Sequence, residues 1–295
     1  MAVRQLDRTV ELRALTTFRI GGRPVLYERP RDYPSLSSAL SRCRRRSLPF
    51  RVLGGGSNVL ADDGELPFAV IHVCSPGFDW IRRTGPRTLR VGAGVRLGRV
   101  LAYCRRAGLG GLEFLAGIPG TVGGSVAGNA GAWGCCVAQR LVSAWTVDPD
   151  GVVRRLPADD IGFGYRSSGL SGRVVTEAEF ALEPSTPERV ERLIRHNLRQ
   201  KASLQPVRAA SAGCVFKNPP GESAGRLLDA CGMKRRRVGG ATVSEKHANF
   251  ICNAHGARAG DVLELMRIMR GEVQRRFGIS LEPELRLWAP RRLVA

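Results

Sequence analysis

The stretch AGIPGTVGGSVAGNAG, residues 116–131, decides how the chain is interpreted. Its glycines are spaced too closely for one stable helix, because a glycine inside a helix costs about 1 kcal/mol relative to alanine. Glycine also allows positive φ angles, so successive backbone N–H groups can face one anion without obstruction by a Cβ atom. Thr121, Ser125 and Asn129 add hydroxyl and amide groups to this backbone. The combination favours a diphosphate lying against the main chain.

A second glycine tract, LGGGSN (53–58), follows a predicted strand and turn within residues 48–64. The chain has no G-K-[ST] sequence, so neither tract is a Walker loop. A third candidate, VGAGVRLG (91–98), has its last glycine one place too late for a dinucleotide fingerprint, and no acidic residue follows at the expected distance. We interpret this third stretch as a turn and the start of a helix.

Hydrophobic spacing predicts the elements around these tracts. A strand is expected at 87–95, a helix at 96–108 closed by Gly108, and two strands joined by a turn at 140–160. After Pro184 the sequence pattern changes from predicted strands and glycine tracts to helical periodicity. We place a domain boundary there, between residues 1–184 (two subdomains) and 185–295.

The second part of the chain predicts two helices and a strand. The first helix begins at Ser185 or Thr186 as N-cap and has an apolar face formed by Val190, Leu193, Ile194 and Leu198. The second helix spans 259–278, with Gly278 as its stop and an apolar side formed by Val262, Leu265, Met266, Met269, Val273 and Phe277. A terminal strand is expected at 279–288.

Composition excludes several classes of protein. No run of about 18 apolar residues occurs, so no membrane-spanning helix is predicted. Residues 1–18 contain acids and no apolar h-region, so we expect no signal peptide and a cytoplasmic location. The net charge of +20 suggests nucleic-acid binding, but only four of the 46 basic residues are lysines and aromatics make up only 6%. We therefore favour an arginine-rich solvated surface that attracts anionic substrates.

The eight cysteines show no C-x-x-C pair, and the four histidines show no metal-binding spacing, so neither a metal nor a disulfide framework is predicted. Most of these cysteines should be small buried hydrophobes. Cys214 is the exception of interest, because SAGCVFKNPPG (211–221) places it between a flexible lead and a turn. From these residues alone it could be a structural thiol, a metal ligand, a nucleophile or a proton donor.

Seven motifs in order resemble those of the UDP-N-acetylenolpyruvoylglucosamine reductase family. They are TTFRIGG (16–22), LGGGSNVL (53–60), GLEFLAGIPGTVGGSVAGNAGAWG (111–134), GYRSS (164–168), SAGCVFKNP (211–219), GGATVSEKHANFI (239–251) and LEPELR (281–286). The resemblance implies an α+β protein with an FAD-binding domain of the vanillyl-alcohol-oxidase type and a smaller C-terminal α+β domain that binds substrate. It also implies non-covalent FAD, NADPH as hydride donor and an enolpyruvyl UDP-sugar as substrate.

The resemblance assigns residues to the cofactor. They are Gly54, Gly55, Gly56, Ser57, Asn58, Ile118, Pro119, Gly120, Thr121, Gly123, Gly124, Gly128, Asn129, Ala130 and Gly131.

It also implies that Arg166 and Glu284 act on the substrate and that Cys214 is the proton donor, where most relatives have serine. A thiol is a better acid than an alcohol, so the role is conserved. Glu284 helps an anionic intermediate only if it carries a proton or bridges through a donor, and an exposed strand acid is the alternative.

Substrate-binding residues are implied at Tyr165, Lys217, Asn218, Lys234 and His247, with a core histidine as the alternative for His247. The run KRRR (234–237) departs from the family's Lys-Gly-aromatic-Arg. The chain resembles the subclass without an extra substrate loop, and a monomer is expected. Another FAD-dependent oxidase of the same fold is the alternative function.

Overall fold

The structure is a computed structural model that describes residues 10–288. The predicted absence of a signal peptide (residues 1–18) and the end of the predicted C-terminal domain therefore fall partly outside the described residues. The chain divides into two compact units. Of the described residues, unit 1 contains 26–55 and 67–200, and unit 2 contains 10–25, 56–66 and 201–288. The boundary near residue 184 stays a prediction.

The elements mix helices and strands in the manner of an α+β protein. The helices are α1 (Tyr33–Arg45), α2 (Leu97–Ala107), α3 (Val122–Ala127), α4 (Pro187–Leu204), α5 (Ala224–Ala230) and α6 (Ala259–Phe277). The strands are β1 (Arg23–Glu28), β2 (Phe50–Leu53), β3 (Val59–Ala61), β4 (Glu65–His72), β5 (Ile81–Gly85), β6 (Thr88–Gly92), β7 (Leu109–Gly110), β8 (Gly131–Ala132), β9 (Cys135–Cys136), β10 (Leu141–Val147), β11 (Val153–Pro157), β12 (Val174–Ala181), β13 (Glu183–Pro184), β14 (Arg237–Val238), β15 (Ala241–Val243), β16 (Ile251–Asn253) and β17 (Arg286–Trp288).

Unit 1 is built on an antiparallel sheet in the order β11-β10-β12-β6-β5. Its core includes side chains from α1, β6, α3 and β12, among them Leu36, Val91, Val126 and Phe180, all buried. Strands β2 and β4 pair in parallel, with the last residue of β2 opposite His72. The first glycine tract therefore begins directly at the end of β2.

Unit 2 has its own core, centred on α6. Five of the six predicted apolar residues of this helix are fully buried, whereas Phe277 is 36% exposed. The sheet β14-β15-β16 is antiparallel, and β17 pairs in parallel with β3. Both α2 and α6 end where the sequence predicts, because Gly108 and Gly278 adopt φ angles of +60° and +69°.

The predicted apolar face of α4 is wrong in part. Val190 is buried, but Leu193 and Leu198 are 40% and 44% exposed. The predicted N-cap is confirmed, because the Arg189 N–H donates to the Thr186 hydroxyl over 3.2 Å. The terminal strand is also shorter than predicted and covers only 286–288, because residues 279–285 form a loop apart from an isolated bridge at Pro283.

The prediction that most cysteines are buried is also wrong. All eight are free thiols, but only Cys43 and Cys104 are buried, and Cys135 is exposed. Those two lie on the inward faces of α1 and α2, whereas the others lie in loops or short strands. Within residues 10–288, none of the helices combines the length and apolar character needed to cross a membrane.

Candidate active site

The two glycine tracts of unit 1 lie against each other. A Cβ atom at Gly54 would lie 2.6 Å from Thr121 Oγ1, and one at Gly55 would lie 2.6 Å from Gly120 Cα. A side chain at residue 55 would clash with backbone, so this position requires glycine, whereas a side chain at residue 54 would displace the Thr121 hydroxyl. Gly55 is thus explained by the close approach of two backbones.

The second tract is held by the turn that follows β6. The N–H groups of Val122 and Gly123 donate to the carbonyls of Val95 and Ala93, each over 2.9 Å. A Cβ atom at Gly123 would lie 2.8 Å from Ala93 Cβ, so this glycine is required by packing. The six-residue helix α3 follows, and the Ser125 hydroxyl donates to the Val122 carbonyl within it.

Thr121 and Gly124 form a different kind of surface. The Thr121 side chain is 5% exposed, and its hydroxyl has no hydrogen-bond partner among the described residues. Gly124 is exposed, and within residues 10–288 the atom found near its Cβ position, apart from its own helix backbone, is that hydroxyl, at 3.8 Å. A buried hydroxyl and bare backbone facing the same space fit a phosphate-bearing cofactor such as FAD.

The remaining predicted cofactor residues of unit 1 lie around this surface with mixed exposure. Ile118 packs against the core of unit 1, whereas Pro119 is exposed. Gly128 and Ala130 are half-buried. Gly131 is buried, and a Cβ atom there would lie 2.4 Å from the Cys135 carbonyl oxygen.

The GYRSS turn is tied to the same tract. The Asn129 amide donates to the Gly164 carbonyl over 2.9 Å, and the Ser168 hydroxyl donates to the Ala127 carbonyl over 2.9 Å. Arg166 has a φ of +54°, and its guanidinium donates to the Gly131 carbonyl over 2.8 Å. Arg166 also lies 5.3 Å from the ring of Tyr165, which is 54% exposed. The tract therefore positions Arg166 as well as presenting backbone.

Cys214 belongs to unit 2, in an extended segment held on both sides. It bridges to Phe250 on one side, and Phe216 bridges to Pro283 on the other. The Glu284 N–H donates to the Val215 carbonyl over 2.9 Å. The structure thus brings the two predicted acids, Cys214 and Glu284, onto neighbouring segments of unit 2, whereas Arg166 lies in unit 1.

Asn249 clamps the Cys214 segment. Its side-chain amide donates to the Phe216 carbonyl over 2.8 Å, and its amide oxygen accepts from the Phe216 N–H over 3.0 Å. Its own carbonyl accepts from the Val215 N–H over 2.9 Å. Asn249 is 1% exposed, so water does not compete for these bonds.

The last three residues of LGGGSN lie in unit 2, where they support the Glu284 segment. Gly56 has a φ of +63°, and a Cβ atom there would lie 2.1 Å from the Leu15 carbonyl oxygen. The Asn58 amide donates to the Glu284 carbonyl over 3.1 Å, and the Arg286 N–H donates to the Asn58 carbonyl over 3.0 Å. Ser57 is half-buried between them. Within unit 2, Gly56 therefore allows a close approach to Leu15, and Asn58 stabilises the backbone around Glu284.

Two predicted substrate residues are already engaged. Lys217 Nζ lies 3.2 Å from Glu282 Oε2. The Asn218 side chain accepts from the Ala224 N–H, the first of α5, over 3.0 Å, while Ser223 is the N-cap of that helix.

Lys234 and His247 lie together beside α5. Lys234 Nζ is 2.7 Å from Asp229 Oδ2. The Asn249 N–H donates to His247 Nδ1 over 3.2 Å, and the Phe250 ring lies 5.0 Å away. Burial and the charge of Lys234 lower the pKa of His247, so its ring is neutral near pH 7.

Two family models match the chain. The FAD binding domain matches residues 24–157, and the C-terminal domain of UDP-N-acetylenolpyruvoylglucosamine reductase matches residues 205–288. A UDP-N-acetylenolpyruvoylglucosamine reductase of Syntrophotalea carbinolica is 42% identical over 273 residues, which is 92% of this chain and 90% of the relative. The chain belongs to the UDP-N-acetylenolpyruvoylglucosamine reductase family.

Other members agree with this assignment. UDP-N-acetylenolpyruvoylglucosamine reductase 2 of Symbiobacterium thermophilum is 42% identical over 286 residues, covering 96% of this chain and 92% of the relative. The crystal structure of the reductase (MurB) from Thermus caldophilus has a TM-score of 0.83 and 39% identity, and covers 95% of this chain and 97% of that one. The family resemblance and the α+β fold with an FAD-binding domain are thereby confirmed.

The KRRR run shows how this reductase-family chain accommodates a missing glycine. Arg235 takes the place of the family's glycine and has a φ of +65°. Its N–H donates to the Val243 carbonyl over 3.0 Å, and its guanidinium pairs with Glu245. The loop keeps the conformation that glycine favours, at a cost of roughly 1–2 kcal/mol for a residue with a Cβ atom.

Sequence reasoning missed Asn249 in this reductase-family site. The signal was present, because Asn249 is a polar residue between Ala248 and Phe250 and shortly precedes Ile251, the first residue of β16. A buried asparagine in an apolar run needs partners for four hydrogen bonds, which marks it as a structural clamp.

Proposed function

We propose that this chain catalyses the reaction for which its relatives are named, reducing the enolpyruvyl ether of UDP-N-acetylglucosamine to UDP-N-acetylmuramate with NADPH. The product is a peptidoglycan precursor. One observation carries the proposal beyond family membership: the neighbouring Cys214 and Glu284 segments, joined by the bond between the Glu284 N–H and the Val215 carbonyl. That arrangement places a thiol and a carboxyl group on neighbouring segments, and both are types of side chain that can donate a proton in catalysis.

The residues of unit 1 fit the cofactor. FAD, held by residues of the two glycine tracts, would supply the hydride transfer from NADPH to the β-carbon of the enol ether. We assign the phosphates of FAD to Gly54, Gly55, Thr121 and Gly124, because these residues combine close backbone packing with an unpartnered buried hydroxyl. Binding is non-covalent, since non-bonded contacts of this kind need no side-chain tether.

Cys214 supplies the proton in this proposal. Hydride addition at the β-carbon leaves an electron pair at the α-carbon, delocalised into the substrate carboxylate. The Sγ–H bond of Cys214 then breaks and a C–H bond forms at the α-carbon, and the thiolate recovers its proton from solvent. An ordinary thiol has a pKa near ~8.5 and is mostly protonated at neutral pH, so it can serve as this donor.

Arg166 and Glu284 stabilise the negative charge on the substrate carboxylate. Arg166 is held by its bond to the Gly131 carbonyl, and its planar guanidinium is of the type that binds a carboxylate through two parallel hydrogen bonds. Glu284 contributes either by carrying a proton or through a bridging donor, because an ionised carboxylate alone would repel the intermediate. Its backbone is fixed at both the N–H and the carbonyl, so the side chain starts from a defined position.

We assign the UDP-sugar to Tyr165, Lys217, Asn218, Lys234 and His247. Both lysines are paired with carboxylates, and exposed ion pairs contribute only about 0–1 kcal/mol. A diphosphate can therefore replace Glu282 and Asp229 as the partner of Lys217 and Lys234 at little cost. The net charge of +20 favours the approach of both anionic substrates.

We further propose that the protein acts as a monomer in the cytoplasm, where NADPH and nucleotide sugars are found. Light scattering at micromolar concentration measures the mass directly, and a value twice that of the 32.0 kDa chain would refute the monomer.

The test of the proposed reaction is a visible spectrum of the purified protein, followed by anaerobic NADPH and then the enolpyruvyl UDP-sugar. We expect flavin bands that bleach with NADPH and return with the sugar nucleotide. Bands that return only with oxygen would indicate an oxidase instead. A colourless protein that FAD cannot reconstitute would refute the proposal.

A further inference from the structure

The TTFRIGG motif (16–22) belongs to unit 2, as does the Cys214 segment. Its second threonine, Thr17, is half-buried and forms hydrogen bonds through both its backbone and its side chain. The Thr17 N–H donates to the Gly56 carbonyl over 3.0 Å. The Thr17 hydroxyl donates to the Ser211 carbonyl over 2.7 Å. Thr17 therefore links the LGGGSN tract to the chain that leads to Cys214.

The hydroxyl of Thr17 lies near two acceptors, and the distances decide between them. Its Oγ1 atom is also 3.5 Å from the Gly56 carbonyl oxygen. A threonine hydroxyl has one proton to donate, and both neighbours are carbonyl oxygens, which only accept. The proton therefore goes to Ser211, at a usual distance for two hydrogen-bonded oxygen atoms, while the Gly56 carbonyl accepts from the Thr17 N–H.

This bond holds the Ser-Ala-Gly lead before Cys214. The lead bends at Gly213, whose φ of +83° is the left-handed conformation that glycine favours. Asn249 clamps the backbone beyond the bend, directly after Cys214. Thr17 holds Ser211 before the bend. The position of the thiol is thus set from both sides, by one side chain on each side.

The fold of unit 2 does not depend on the Thr17 hydroxyl alone. The residue before the lead, Ala210, is held by β16, because its carbonyl accepts from the Asn253 N–H over 2.8 Å. That backbone bond and the one from the Thr17 N–H to Gly56 persist when the Thr17 side chain is changed. Loss of the hydroxyl therefore releases the lead while its ends stay in place.

We propose that Thr17 is a positioning residue for proton transfer: through the Ser211 carbonyl it fixes the lead, and so the place from which the Cys214 thiol donates to the α-carbon. The inference rests on the proposed role of Cys214 as proton donor. Proton transfer needs the donor within hydrogen-bond reach of the reacting atom, and small displacements of such a group slow a reaction steeply. Thr17 touches neither substrate nor cofactor in this proposal.

The test measures the two half-reactions of the full-length, FAD-loaded protein by stopped flow. Thr17→Val has nearly the same shape and keeps the backbone bond to Gly56 but loses the hydroxyl. We expect reoxidation by the enolpyruvyl UDP-sugar to slow about tenfold, the equivalent of one hydrogen bond, and reduction by NADPH to change by less than about twofold. Thr17→Ser keeps a hydroxyl and should be reoxidised within about threefold of the parent's rate.

Thr16→Val is the matched control in the same motif. The Thr16 hydroxyl donates to the Ile20 carbonyl over 3.0 Å, so it closes the turn without reaching the Cys214 segment. Its loss should lower the free energy of unfolding about as much as Thr17→Val does, while the two half-reactions keep the parent's ratio of rates. The double variant Cys214→Ala/Thr17→Val should be reoxidised no more slowly than Cys214→Ala, because Thr17 acts through the thiol.

A second readout needs neither FAD nor turnover. Alkylation of Cys214 by iodoacetamide, followed by mass spectrometry of the peptide, reports how firmly the lead holds the thiol. In Thr17→Val we expect the rate to rise about threefold, because a looser segment presents the thiol more often. Cys231, in the same unit but outside the lead, is the internal reference and should react at the parent's rate in every variant.

Unchanged reoxidation in Thr17→Val, equal slowing of both half-reactions, or slow reoxidation in Thr17→Ser would each overturn the proposal. Further slowing in the double variant, or alkylation of Cys214 at the parent's rate, would do the same. Should Thr17→Val not fold, Thr17→Ala removes the same hydroxyl, and failure of both to fold would make Thr17 a structural residue and overturn the proposal. A parent protein whose reduced flavin is not reoxidised by the enolpyruvyl UDP-sugar would instead refute the proposed function itself.

Discussion

Replacing Asn249 by leucine should loosen the Cys214 segment without touching a reacting group. Leucine has a similar size but neither donates nor accepts a hydrogen bond. Both bonds between the Asn249 side chain and Phe216 would be lost, and Phe216 is 0% exposed, so water cannot replace them. The backbone bond from the Val215 N–H to the Asn249 carbonyl remains.

The magnitude follows from the two peptide groups left unpaired. A buried donor or acceptor without a partner costs about 1–3 kcal/mol, so the N–H and the carbonyl of Phe216 together cost roughly 2–6 kcal/mol. Burial of the added apolar surface offsets part of this loss. We expect the free energy of unfolding to fall by about 3 kcal/mol.

Urea unfolding followed by circular dichroism measures this change in the free energy of unfolding. Measuring the two half-reactions separately shows which of them depends on the Cys214 segment. Flavin reduction by NADPH should be unchanged, while reoxidation by the enolpyruvyl substrate slows, because Cys214 lies two residues before Phe216. The control Asn197→Leu removes a single bond, to the Glu113 carbonyl, and should cost about 1 kcal/mol. A loss below 1 kcal/mol for Asn249→Leu, or equal slowing of both half-reactions, would refute the reasoning.

Changes at four further positions test other parts of the structure. Gly54→Ala places a Cβ atom 2.6 Å from Thr121 Oγ1 and should weaken FAD binding at least about tenfold in a fluorescence titration, whereas Gly98→Ala, with open space around its Cβ position, should have no effect. Cys214→Ser should keep substantial turnover, and Cys214→Ala should stall reoxidation while leaving reduction by NADPH intact; equal loss of both in stopped-flow traces would indicate a structural thiol. Arg235→Gly should raise the free energy of unfolding, measured in urea, by about 0.5 kcal/mol. Relief of the positive φ angle outweighs both the greater conformational freedom of the unfolded chain and the loss of the exposed ion pair with Glu245. Arg236→Gly is the control and should lower the free energy of unfolding. Burial lowers the pKa of His72 to about 4 in the folded protein, so the unfolded chain binds the extra proton first and the free energy of unfolding falls as pH drops from about 6.5 to 4. In His72→Gln that fall should be smaller by about 3 kcal/mol. An unchanged dependence of stability on pH would contradict the lowered pKa of His72.

Local signals in the sequence were sufficient for the elements with a clear period and a clear end. The helix α6 follows from its apolar stripe and from Gly278, and α2 follows from Gly108 in the same way. The sequence predicted bare backbone at residues 54 and 55 for binding a phosphate, but not the packing of these residues against Thr121 and Gly120.

The apolar face of α4 shows where periodicity fails. Its buried side contains Val190, and Lys201 lies about three helical turns further along the same stripe and is only 5% exposed. Leu193 and Leu198 lie on the two flanks of that stripe and remain exposed. Judged by residue type alone, leucines belong on the buried face of a helix and lysines on the exposed face. The apolar pattern therefore assigned Leu193 and Leu198 to the buried face and left out Lys201.

The division of the glycine tract between two units could not be predicted either. Gly54 and Gly55 lie in unit 1, whereas Gly56 is held by Leu15 and Thr17 in unit 2. These contacts join segments distant in sequence, which no local pattern records. The clamp formed by Asn249 depends on such a contact too, with Phe216 33 residues away.

The pairing of β3 with β17 has a consequence for how the chain is made. Val59, Leu60 and Ala61 are all buried, yet their partner strand is synthesised about 225 residues later. At ribosomal speeds of about 5–20 residues per second, the nascent chain exposes this apolar edge for on the order of 10–45 s. Unit 2 therefore completes its fold only after synthesis reaches residue 288, while unit 1 has all its segments by residue 200. Aggregation of ribosome-bound intermediates should centre on β3, and overproduction at lowered translation speed should lengthen that exposure rather than relieve it.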